Sequence, residues 1–137
     1  MEKYGIKPGN PVILKIEEEI RLTNIISEIV LQKRLVIISY NICADHIHFI
    51  IKYEETSLDS IIQLIKSVST LKYKQSVNKD IVKLWAQKYN RKEIDSEEQL
   101  FNTSEYIRNN RLKHGLEENS ELEKIVQKFL IPIEKAF

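Results

Sequence analysis

The apolar positions along the chain change their period several times. From residue 16 to 33, Ile16, Ile20, Leu22, Ile25, Ile26, Ile29 and Val30 recur mostly three or four apart, which predicts an amphipathic helix. Glu17, Glu18 and Glu19 open it and Lys33 and Arg34 close it, each sign at the end the helix dipole favours. The next two stretches, LVIISYNIC (35–43) and HIHFIIKY (46–53), are rich in β-branched residues and separated only by Ala44 and Asp45. Strands joined so tightly must run antiparallel, so a hairpin is expected.

Helical spacing returns from Ser57, a natural N-cap, to about Asn78, with Leu58, Ile61, Ile62, Ile65, Val68 and Leu71 on the apolar side. Residues 81–94 read as a strand. Ser96 followed by Gln99 is a capping box that opens a helix running through Tyr106 to about His114, with Gly115 as its C-cap. A last helix is expected over 118–130, stopped by Pro132. The order helix, strand, strand, helix, strand, helix, helix predicts an α+β domain, an antiparallel sheet flanked by helices. A strand before the first helix would complete a ferredoxin-like unit. The only candidates are Pro11–Lys15 and the stub Lys3–Lys7, neither convincing, so the first strand is expected to be short or missing.

Composition narrows the class. At 137 residues the chain is expected to form one domain. The single cysteine, Cys43, excludes a disulfide framework and a cysteine-based zinc site. No apolar run is long enough to span a bilayer and the N-terminus lacks the apolar centre of a signal peptide, so a cytoplasmic protein is expected. A net charge of +1 is too balanced for coating nucleic acid, but a local patch remains open. Between residues 61 and 92 stand eight basic residues, Lys66, Lys72, Lys74, Lys79, Lys83, Lys88, Arg91 and Lys92, against one acidic residue, Asp80. Tyr73, Trp85 and Tyr89 are interleaved. Such a stretch suits a single-strand nucleic-acid groove or, equally, a solvated helix face, with Trp85 assigned to the core.

Two smaller groups could carry chemistry. His46 and His48, two of three histidines, sit two apart at the start of a strand, so their rings are expected on one face, with Cβ atoms ~7 Å apart and both rings able to converge on one ion. An arbitrary pair of this kind is more often a half-exposed face than a ligand pair. As a metal site it would need a third ligand of carboxylate, amide or water, which suits Mg²⁺ or Mn²⁺ as much as zinc. Asp45 reads as a turn residue or a support for a ligand. Tyr106 and Asn110 lie one helical turn apart, ~6 Å along the axis. Tyr106 borders the apolar stripe of Leu100, Phe101 and Ile107. Taken alone it reads as a boundary tyrosine. Arg108, Arg111, Lys113 and His114 around it make either a solvated last turn or a phosphate cradle.

Taken in order, DHIHFII, IIQLIKSVSTLKYK, LWAQKYNRKEI and SEEQLFNTSEYIRNNRLKHGL resemble the single-tyrosine HUH transposase superfamily, the insertion-sequence-200-like group with its REP-associated branch. The likeness covers roughly residues 12–116 of a single 1–137 domain, with 118–130 as a C-terminal helix. Its most telling part is a tyrosine, a polar residue four later and a Lys-x-Gly tail (Tyr106, Asn110, Lys113-His114-Gly115). The resemblance implies that His46, His48 and Asn110 bind Mg²⁺ or Mn²⁺ and that Tyr106 is the catalytic nucleophile. It implies metal-dependent cleavage and rejoining of single-stranded, often hairpin, DNA through a 5′-phosphotyrosine link. Lys66, Lys72, Lys74, Lys88, Arg91, Arg108, Arg111 and Lys113 would then contact the DNA, in a prokaryotic, nucleoid-associated setting, with a homodimer one arrangement open to the protein. The chain departs from the family in its short N-terminus, in Ala44 where a proline often precedes the histidines, and in Arg111 where a proline is common. The other readings are a truncated, inactive relative that holds DNA or RNA hairpins, and a metal-binding α+β protein of another role.

Overall fold

A computed structural model describes residues 2–6, 15–43, 46–53, 57–77, 90–113 and 115–132, and only the backbone of residues 2–6, 46, 77, 90 and 91. The stub before the first helix is a strand, β1 (Glu2–Ile6). It is followed by α1 (Ile16–Lys33), β2 (Val36–Cys43), β3 (His46–Lys52) and α2 (Leu58–Val77). Then come β4 (Asn90–Glu93), α3 (Glu97–Arg108), α4 (Asn110–Lys113) and α5 (Ser120–Phe129).

The strands form one antiparallel sheet in the order β2-β3-β1-β4. β1 is thus an inner strand, its Tyr4 opposite Phe49 on one side and Arg91 on the other. This is the split β-α-β arrangement of the ferredoxin-like fold, with the first strand short and present. The alternative first strand at Pro11–Lys15 lies almost wholly outside the described residues, as do the hairpin turn and the stretch 78–89. Of the strand expected over 81–94, residues 90–94 are described, and Asn90–Glu93 of them form β4.

The sheet has two differently covered faces. One carries Ile37, Tyr40, Ile42, Ile47, Phe49 and Ile51, packed with the apolar sides of α1, α2 and α5 into the main core. Tyr40 sits edge-on to both Phe49 and Phe129, with ring centroids 5.2 and 5.3 Å away. The other face carries Ile38 and Ile50, which pack with Ile94, Leu100 and Ile107. Strict alternation back from Ile42 and Tyr40 would put Ile38, not Ile37, on the main-core side. The register shift between Ile37 and Ser39 inserts one residue into β2 and reverses the faces.

Local signals set the helix ends. Ser96 Oγ accepts from the Gln99 N–H at 3.1 Å, and the Gln99 side chain takes the Asp95 N–H at 2.9 Å. Ser57 and Asn119 accept from the backbone at the starts of α2 and α5. Arg34 closes α1 in the left-handed region (φ 53°), where an asparagine or glycine is more usual. After α4, Gly115 takes the left-handed conformation (φ 71°) that its position requires. The single helix expected from Ser96 to His114 is instead two, broken at Asn109 (φ −89°, ψ 2°). Among the described residues no helix is long and apolar enough to cross a membrane.

Candidate active site

The alternation along β3 places His48 two residues before Ile50, on the face that α3 covers. Ile107 and Leu100 anchor α3 there through their buried side chains, and this brings the last turn of α3 over the start of β3. Tyr106 is consequently set edge-on to His48, with ring centroids 6.1 Å apart and planes at 83°. It remains 40% exposed, so its ring is reachable from solvent. The Lys113 ammonium lies over the ring, 4.8 Å from its centre.

Asn110 is placed differently from the expectation of a shared helix face. The break at Asn109 turns it inward, where it is fully buried and its amide nitrogen donates to Cys43 Sγ at 3.3 Å. Cys43 is the cross-strand partner of His46, and Asn41 of His48. Asn110 therefore rests on the strand position facing His46, and Tyr106 rests on His48. The side chain of His46 lies outside the described residues. Among those described, no three His, Cys, Asp or Glu side chains gather as a metal site. The described side chains of the expected ligand set are thus one imidazole and one amide.

The expected DNA contacts divide. Lys113 and Arg108 are exposed in the turns around Tyr106, Arg108 lying 3.4 Å from Glu105. Lys66, Lys72 and Lys74 belong to α2, whose apolar side packs on the opposite face of the sheet, and Lys72 pairs with Glu28 of α1 at 3.1 Å. They do not border the Tyr106 site. Tyr73, interleaved with them, is no stacking platform. It is buried, and its hydroxyl donates to Glu18 at 2.8 Å. Lys88 and the side chain of Arg91 lie outside the described residues. Arg111 corrects the sequence reading outright. It is buried, its guanidinium donating to Glu19 at 2.6 Å, to the Ile42 carbonyl at 2.8 Å and to the Glu117 carbonyl at 3.1 and 3.0 Å. Every nitrogen of the fork is occupied inside the protein, so Arg111 is a brace rather than a phosphate contact. Glu19, read as a dipole residue of α1, is the buried other half of that pair.

A family model described as "Transposase IS200 like" matches residues 10–110, a span holding His46, His48, Tyr106 and Asn110. The chain belongs to the IS200-like transposase family. Its function is transposase-like. The fold of this IS200-like transposase is also that of two solved structures. One, a REP-associated tyrosine transposase bound to a REP hairpin, aligns with a TM-score of 0.70 at 18% identity, over 96% of this chain and 82% of the other. The second, described as a transposase of Deinococcus radiodurans R1, aligns with a TM-score of 0.60 at 16% identity, over 80% of this chain and 89% of the other. At these identities the likeness is one of fold. No curated protein sequence matches the chain.

Proposed function

We propose that this IS200-like transposase cleaves and rejoins single-stranded DNA through Tyr106, with a divalent metal held by His46, His48 and Asn110. The observation that carries the reading is the packing of Tyr106 against His48 within one chain, 6.1 Å between ring centres. The donor set, two imidazoles and an amide oxygen, is nitrogen and oxygen chemistry that accepts Mn²⁺ or Mg²⁺ without a thiolate. When bound, such an ion supplies Lewis-acid stabilisation of the charge that builds on the phosphate oxygens.

The chain's own residues do the rest. The Tyr106 hydroxyl oxygen attacks phosphorus, and its proton passes to solvent or to a neighbouring base. The bond from phosphorus to the 3′ oxygen breaks, and that oxygen leaves as a 3′-hydroxyl after taking up a proton. The product is a 5′-phosphotyrosine ester. Because it keeps the ester's energy, a 3′-hydroxyl from another strand reverses the step and joins the strands. Lys113 and Arg108 attract the phosphate to the exposed side of the ring. Their position beside the nucleophile is where phosphate charge must be held. His48 also supports the edge of the Tyr106 ring and so limits its rotation.

The proposed substrate is a hairpin-forming DNA strand. A hairpin is what the REP-associated transposase of like fold was solved with. The competing reading, an inactive relative that only holds hairpins, drew its force from the short N-terminus. The position of β1 between β3 and β4 supports an intact sheet, and with it the active reading. The test is incubation of the protein with labelled single-stranded hairpin DNA and Mn²⁺, followed by denaturing electrophoresis. A protein–DNA adduct is expected for the wild type, none for Tyr106→Phe, and equal binding by both. Binding without any adduct at any metal concentration would favour the inactive relative.

A further inference from the structure

The turn carrying Tyr106 and Asn110 is gripped by two side chains for which the proposed chemistry has no use. Asn41, on β2, donates its amide nitrogen to the Ile107 carbonyl at 2.7 Å and to the Arg108 carbonyl at 3.2 Å. These belong to the last turn of α3, where carbonyls lack the partner that a continued helix would supply. Arg111, on α4, reaches the opposite way and donates to the Ile42 carbonyl of β2 at 2.8 Å, backed by Glu19 of α1. The Ile42 N–H is taken by the Asn41 side-chain oxygen at 2.9 Å. The strand holds the helix end through Asn41, and the helix end holds the strand through Arg111.

The gripped positions bracket the site. Ile107 and Arg108 follow Tyr106, and Arg111 follows Asn110. We propose that Asn41 and Arg111, with Glu19 behind it, are positioning residues that set Tyr106 on His48 and Asn110 on Cys43. The apolar anchors Leu100 and Ile107 resist separation of α3 from the sheet but have little directional preference. Rotating a helix by one residue swings a side chain by ~100°, which would carry Tyr106 off His48. Directional hydrogen bonds to Ile107, Arg108 and Ile42 oppose that rotation, and a planar guanidinium fork does so more firmly than an ammonium. The break at Asn109 makes the restraint necessary, because no continuous helix transmits the orientation of Tyr106 to Asn110. The metal arm of this inference rests on the proposed function, whereas the ring arm does not.

The experiment compares wild type, Asn41→Ala, Arg111→Lys and the double variant Glu19→Met with Arg111→Met, each first shown to be folded by circular dichroism. The double variant replaces the buried pair by apolar side chains of similar length, so it keeps the packing and removes the directional bonds. Two signals are read. The first is the nuclear magnetic resonance of the His48 ring, which senses the Tyr106 ring, with Tyr106→Leu as the reference for a lost contact. The second is Mn²⁺ affinity by calorimetry. The folded variants are expected to move the His48 resonance toward the Tyr106→Leu position and to lose about 10- to 100-fold in Mn²⁺ affinity, as supporting residues around metal ligands do. Folded variants with the wild-type His48 resonance and Mn²⁺ affinity within twofold would overturn the proposal and leave the clamp a brace. A wild type that binds no Mn²⁺ would remove the metal site, while the His48 resonance would still decide whether the clamp orients Tyr106.

Discussion

Tyr106 is partly exposed and touches both the His48 ring and the Lys113 ammonium. Asn110, the proposed metal ligand four residues on, is fully buried. Asn110→Ala should therefore reduce stability by about 1–3 kcal/mol, measured by urea denaturation, because it opens a gap and strips a buried hydrogen bond from Cys43. Arg111→Met alone should cost more, about 3–5 kcal/mol, because it leaves the Glu19 carboxylate buried without its countercharge. Alkaline pH gives a separate test. Burial, and then the bond to Glu18, push the Tyr73 hydroxyl up to about 12, and burial pushes Tyr40 in the same direction. A raised value means that the folded state holds its proton longer than the unfolded chain does. The associated stability is complete below about pH 10, the ordinary tyrosine value, and is lost as pH rises toward 12. The melting temperature should fall across that window, and fall less in Tyr73→Phe. At this scale the sequence showed the residues that short spacing reveals. The pairs His46/His48 and Tyr106/Asn110 are two and four apart. Glu19 and Arg111 lie 92 residues apart and Asn41 and Ile107 66 apart, so no local pattern could report either contact.

The elements were legible wherever period and caps agreed. The Ser96–Gln99 cap opens α3 as expected, and Ser96→Ala should cost about 1 kcal/mol, read as a shift in denaturation midpoint at constant slope. The break at Asn109 was not legible. Residues 106–113 have no proline or glycine, and helical spacing runs through them without interruption. What breaks the helix is tertiary, since Asn41 captures the carbonyls of Ile107 and Arg108 and Arg111 is drawn to Glu19. For the same reason Asn110 faces Cys43 instead of sharing the exposed side of Tyr106. β1 was hard to read because five residues, Glu2–Ile6, are too few to display a period, and its strand character comes from having partners on both edges.

Over the whole molecule, the sheet separates two surfaces that the sequence ran together. The lysines of α2 share a charge-rich stretch with β4, yet α2 packs on the main-core face and the Tyr106 site forms on the other. Phosphate contacts should therefore be weighted toward the site side. Lys113→Ala is expected to reduce the salt slope of single-strand DNA binding by about 0.7, and Lys72→Ala, whose ammonium pairs with Glu28, to leave it unchanged. The proposed reaction depends on which atom becomes joined to DNA. Trypsin digestion of the Mn²⁺-dependent adduct, followed by mass spectrometry, locates that atom. The expected result is a nucleotide mass on the peptide spanning residues 93–108, whose only tyrosine is Tyr106. Nucleotide on any other peptide, or cleavage of the strand with no peptide carrying it, would rule out Tyr106 as the nucleophile.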